Sequence, residues 1–136
     1  MKLPSETELQ RIGEQYGLKL ILLFGSQVSG ITHEQSDTDI AVLTQKGEGL
    51  KFDALLDLTA DLSGLFEKDP DLSVLDHADP LFLHNVVEGA ILLYGEERDF
   101  EALRLKAFKA YQDFRPILEL ERQFLLKEYN VGQCHD

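Results

Sequence analysis

The sequence predicts an α/β domain on a small mixed β-sheet, and three observations carry that prediction. Short apolar runs, Leu18 with Leu20 to Leu23, then Ile40 to Leu43, have the length of buried strands, and Asp71 to Asp76 reads as a third. Between the second and third runs, Phe52, Leu55, Leu56, Leu62, Leu65 and Phe66 recur at helical spacing. From about Glu97 onward, Phe100, Leu103, Ala107, Tyr111 and Phe114 form a second, longer helical stripe. The expectation is a sheet with helices packed on one face and a C-terminal helical segment.

Each element has a local reason. Ser5, followed three residues later by Glu8, reads as a capping box, so a first helix is expected over 5–16, ending near Gly17. A strand follows from Lys19 to Phe24, then a short helix and loop between Gly25 and Gln35. The second strand is expected over Thr38 to Leu43, and Gln45 to Gly49 as a loop. A helix over about 50–66 is stopped by Asp69-Pro70, and Asp71 to Asp76 reads as the third strand. Pro80 opens a short helix over 80–89, because a proline at the first helical position sacrifices no needed hydrogen bond. Ile91 to Tyr94 is expected as an edge strand closed by Gly95, and Pro116 is expected to kink or divide the last helix. The domain is expected over 1–129, with the helical segment at about 97–129 and a frayed tail at 130–136.

Composition narrows the functions. With 136 residues, 43% hydrophobic and 28% charged, the chain fits one ordinary domain. A formal net charge of −12 argues against direct nucleic-acid binding, which relies on Lys and Arg. It suits a basic protein partner, or small-molecule chemistry with bound cations. Apolar runs are far shorter than the roughly 20 residues that span a bilayer, and Met1 to Gln15 lacks a signal-peptide core, so a cytoplasmic protein is expected, with no membrane. Cys134 is the single cysteine and shows no sign of activation; His33, His77, His84 and His135 show no metal-ligand spacing. Phe108, Phe124, Leu125 and Leu126 leave open that the last helix extends into a partner interface.

The chemistry concentrates in Gly25-Ser26 and, ten residues later, Asp37-Thr38-Asp39. In a strand, residues two apart face the same way, so Asp37 and Asp39 project together. Paired carboxylates suit Mg²⁺, a hard cation that shares oxygen ligands with substrate phosphates. Gly25 lets backbone N–H groups approach a phosphate, and the Ser26 hydroxyl adds a donor. The segment between the second and third strands makes a βαβ crossover, which requires the strands to be parallel. Asp71 then opens the third strand at the end where Asp37 and Asp39 open the second. Asp76 is the competing third carboxylate, but lies roughly 16 Å further along an extended strand and on the opposite, apolar parity. Three carboxylates at one strand end would hold two Mg²⁺ ions about 3.5–4 Å apart for an in-line displacement. The competing interpretation is structural: Ser-Asp-Thr-Asp is also an ordinary turn composition, and Asp71 follows a proline.

Gly25-Ser26, ten residues, then Asp37-x-Asp39 resembles the signature of the polymerase-beta-like nucleotidyltransferases. The short chain resembles their minimal nucleotidyltransferase branch, best known as antitoxins paired with HEPN ribonuclease toxins. Ser36, Asp71 to Asp76, Glu88 to Tyr94 and Asp113-Phe114-Arg115-Pro116 fit that branch, so the resemblance runs from about Ile21 to Arg115. It implies the polymerase-beta-like fold, with Asp37, Asp39 and Asp71 as metal-binding catalytic residues and Gly25, Ser26 and Ser36 holding the nucleotide. It implies Mg²⁺-dependent transfer of AMP from ATP to a hydroxyl, a tyrosine of a HEPN toxin, as the antitoxin of a type VII pair and in a hetero-oligomer with that toxin. One position departs: Ser29 precedes Gly30 where the family commonly carries arginine, so a cation near the triphosphate is missing unless Lys46, Lys51 or Arg115 replaces it. Two rival functions use the same fold. One is a weak or inactive module that neutralises its partner by occlusion; the other is a small-molecule adenylyltransferase of the aminoglycoside type, which usually needs more chain to shape its acceptor pocket.

Overall fold

A computed structural model describes residues 3–25, 38–66 and 69–133, with side chains described as far as 127. Helix α1 spans Glu6–Gln15, β1 Leu18–Phe24, β2 Thr38–Thr44, α2 Phe52–Ser63, β3 Pro70–Val74, α3 Pro80–Glu88, β4 Ile91–Tyr94 and α4 Glu97–Gln133. The capping box is formed: Ser5 Oγ accepts from the Glu8 backbone N–H, and the Ser5 N–H donates to the Glu8 carboxylate. Asp79 caps α3 in the same way, accepting from the Phe82 N–H at 2.9 Å, with Pro80 at the helix start. The short helix expected between Gly25 and Gln35 lies outside the described residues.

The four strands are ordered β3-β2-β1-β4. β1 runs antiparallel to both β2 and β4, while β2 and β3 are parallel, as a crossover through α2 demands. Two apolar layers flank the sheet. On one face Ile21, Leu23, Ile40 and Val42 pack with Leu9 and Ile12 of α1 and Leu58 and Leu62 of α2. On the other, Leu20, Leu22 and Ala41 pack with Leu83, Val86 and Val87 of α3 and Phe100, Leu103 and Ala107 of α4. Burying each such aliphatic or aromatic side chain is worth about 1.5–3 kcal/mol over leaving it in water.

Helices therefore cover both faces, not one. The reason lies in β1, where Leu20, Ile21, Leu22 and Leu23 are consecutive and buried, so each face needs its own cover. Of the two outcomes expected at Pro116, division does not occur: α4 is a single helix with Pro116 inside it, and it continues through Gln133, past the expected boundary at 129. Pro116 is exposed, so the carbonyl its missing N–H leaves unpaired can be satisfied by water. Among the described residues no helix is long and apolar enough to cross a membrane.

Candidate active site

Register places the carboxylates. Asp39 on β2 pairs with Asp71 on β3 and with Phe24 on β1. Residues in register on adjacent strands share a face and lie one strand spacing apart, about 4.8 Å. Phe24, Asp39 and Asp71 thus lie in a row across three strands, on the face whose inner positions, Leu22 and Ala41, are covered by α3 and α4. Asp39 is half-buried and Asp71 exposed, so the row runs from the protein toward solvent.

Gly25 ends β1 against this row with φ of +88°, a left-handed conformation that glycine adopts freely. A Cβ built on it would lie 2.1 Å from Asp39 Oδ2 and 3.0 Å from its Cγ. The absence of a side chain at 25 is therefore what leaves room for the Asp39 carboxylate. Asp37, Ser26 and Ser36 lie outside the described residues. Among the described residues no three His, Cys, Asp or Glu side chains gather as a metal cluster; two carboxylates, Asp39 and Asp71, stand in register. Their oxygen donors suit a hard cation, and Gly25 keeps the space beside one of them open.

Asp76 is occupied elsewhere. Its carboxylate accepts from the Thr44 N–H at 3.2 Å and from Thr44 Oγ1 at 2.5 Å, and Thr44 Oγ1 in turn accepts from the Gly49 N–H at 3.3 Å. Thr44 is the last residue of β2, paired with Leu18, so this strut stands at the end of the sheet opposite Asp39. It ties the exit of β3 to the exit of β2.

One feature of the site was not read from the sequence. Phe82 of α3 sets its ring edge-on to Phe24, with centroids 6.2 Å apart and planes at 84°, so an aromatic pair borders the carboxylate row on the β1 side. Phe82 remains 37% exposed, which leaves part of its ring facing the site's surroundings. The only signal was an apolar residue in the first turn of a short amphipathic helix. His84, on the same helix, stacks flat on Tyr111 of α4 at 4.0 Å and stands 3.7 Å from Glu88, which joins α3 to α4.

Residues 7–99 match the family model described as polymerase beta, nucleotidyltransferase. The chain belongs to this nucleotidyltransferase family. It is 34% identical over 111 residues to the protein adenylyltransferase MntA of Shewanella oneidensis, covering 82% of this chain and 76% of that one. Its fold is similar to that of a chain in a crystal structure of a toxin–antitoxin with AMP-PNP, with a TM-score of 0.72, 31% identity, and coverage of 92% of this chain and 98% of that one. It is also similar to a chain in the structure of the tri-AMPylated Shewanella oneidensis HEPN toxin in complex with the MNT antitoxin. There the TM-score is 0.66 at 28% identity, covering 91% of this chain and 94% of that one. As a nucleotidyltransferase, the chain is an enzyme built to move a nucleoside monophosphate, and its fold is the polymerase-beta-like one.

Proposed function

We propose that this nucleotidyltransferase is an antitoxin that transfers AMP from ATP to a hydroxyl, a tyrosine, of a HEPN-domain ribonuclease toxin, in the cytoplasm. The observation that carries the proposal is the register of Asp39 with Asp71 beside a glycine that must stay bare. The similarity to a protein adenylyltransferase, and to antitoxin chains solved with an ATP analogue and with an AMPylated HEPN toxin, supports this choice of donor and acceptor.

In this mechanism Asp37, Asp39 and Asp71 would hold Mg²⁺, and Gly25, Ser26 and Ser36 would hold the nucleotide. When bound, two Mg²⁺ ions neutralise the triphosphate and stabilise charge on the attacking and leaving oxygens. Backbone N–H groups around Gly25, with the Ser26 hydroxyl, take the β- and γ-phosphate oxygens and fix the direction in which pyrophosphate leaves. Asp71, at the exposed end of the row, accepts the proton of the acceptor hydroxyl. The acceptor oxygen then bonds to the α-phosphorus as the bond to the β-phosphate oxygen breaks. AMP on the toxin adds bulk and negative charge that obstruct its RNA site.

The rival reading, neutralisation by occlusion without transfer, draws on Ser29, where the family commonly carries arginine. The two separate by intact mass. The purified chain is incubated with Mg²⁺, ATP and a candidate HEPN-domain partner. A partner gain in steps of one AMP is the expected result; a stable complex with unchanged partner mass refutes transfer.

A further inference from the structure

The last helix is too long for the body it belongs to. At 37 residues α4 extends about 55 Å, whereas about 30 Å spans a small domain. Among the side chains described, the last buried one in this helix is Ala107. Beyond that point Ala110, Tyr111, Phe114 and Leu118 are half-covered, while Ile117, Leu120, Phe124, Leu125 and Leu126 are 50–66% exposed. These side chains form an exposed apolar surface interspersed with charged residues, the composition of a helix that contacts a partner rather than its own core. Together they expose on the order of 500 Å², the upper end for a monomer and over half of what one side of a stable interface contributes.

Three observations say what covers this surface. Ile117, Leu120 and Phe124 follow one another at intervals of three and four residues, the apolar spacing that seats against another helix, and charged residues, Asp113 and Lys127, stand at the next positions on either side. Over the distal half, from 115 to 128, three basic residues (Arg115, Arg122, Lys127) balance three acidic ones (Glu119, Glu121, Glu128), in a chain whose net charge is −12. Arg115, Arg122 and Lys127 can therefore pair with carboxylates on a partner's border without the repulsion that the rest of this acidic chain would offer. Finally, the buried start of α4 packs on the same sheet face from which Asp39 and Asp71 project. A protein held along α4 is therefore held on the side where the carboxylates stand.

We propose that the distal half of α4 is the docking surface for the acceptor protein. An apolar helix of the partner lies along Ile117, Leu120 and Phe124, and its flanking carboxylates meet Arg115, Arg122 and Lys127. The inference rests on the acceptor being a protein, as proposed above, and adds which surface holds it. Docking on a helix separate from the carboxylates lets the chain bind its acceptor tightly without filling the site where transfer occurs.

The test uses the full chain, a candidate HEPN-domain partner, and the double variant Leu120→Glu with Phe124→Glu. Both residues are exposed, so the variant is expected to keep the wild-type circular dichroism and melting transition. Calorimetric affinity for the HEPN protein should fall roughly 100-fold or more, with ATP binding unchanged. Undiminished affinity overturns the proposal. So does sedimentation showing that the wild type is a dimer which the variant splits without loss of HEPN affinity, since the face would then belong to a second copy. AMP gain by the HEPN protein is read separately. Weakened docking of the variant with no AMP gain by wild type would sustain the docking surface and refute the transfer reaction.

Discussion

Replacing Gly25 by alanine adds one methyl group at the point where the site has no space for it. Two costs follow. At φ of +88° an alanine is strained by about 1–2 kcal/mol, a loss of a few degrees in melting temperature for a domain of this size. The second cost falls on the site: the new Cβ lies 2.1 Å from Asp39 Oδ2, more than 1 Å inside ordinary contact, so the carboxylate must move. A displacement of that size in a catalytic group costs about 100-fold in rate. Gly25→Ala should therefore lose about 100-fold in kcat/KM for AMP transfer while remaining folded. Gly47→Ala is the matched control, because Gly47 also has positive φ, +73°, but nothing lies within 4 Å of its Cβ position. It should show the strain cost and full activity. Transfer is followed by intact mass against time and stability by thermal unfolding. Wild-type turnover by Gly25→Ala would refute the claim that this glycine exists to admit the Asp39 carboxylate, and equal loss in both variants would reduce it to backbone strain.

Asp76→Ala removes two hydrogen bonds from the strut at the other end of the sheet, so urea unfolding should show a loss of about 2 kcal/mol while transfer per folded molecule is unchanged. Gly13→Ala drives a Cβ to 2.3 Å from the Tyr94 ring and should cost about 1–3 kcal/mol by overpacking, again without a direct effect on transfer. Tyr16 donates to Asp61 at 2.5 Å, and burial together with that bond pushes its phenol from 10.0 up to about 12. Between those values the folded chain keeps a proton that the unfolded chain has lost, so the contribution to stability is intact below pH 10 and is lost as pH rises through about 12. Unfolding measured across that window should show a steeper decline in wild type than in Tyr16→Phe; parallel curves would contradict the assignment.

Much of the architecture was legible because single residues carry it. The crossover through the helix between the second and third strands requires β3 to run parallel to β2, and the parity of Asp71 and Ser73 against Leu72 and Val74 puts Asp71 on the face of Asp39. The same parity put Asp76 at the far end, where its bonds to Thr44 now account for it. Helices on both faces were missed although the signal was present: β1 is apolar at four consecutive positions, and alternation is the mark of a strand with only one covered face. Whether Pro116 would divide α4 was not legible, because a proline's cost depends on whether its orphaned carbonyl can reach water, a property of the surface. The closeness of Gly25 to Asp39 and the Phe24–Phe82 pair join residues distant in the chain, and no local pattern announces such contacts.

The central claim is that Asp39 and Asp71, level on adjacent strands, carry the transfer, while Asp76 does not. It is tested most directly by intact mass of the HEPN-domain partner after incubation with Mg²⁺, ATP and each of Asp39→Asn, Asp71→Asn and Asp76→Asn. The predicted result is that AMP is gained with wild type and Asp76→Asn, and lost with Asp39→Asn and Asp71→Asn. Full AMP gain with Asp71→Asn, or none with a folded Asp76→Asn, would contradict it.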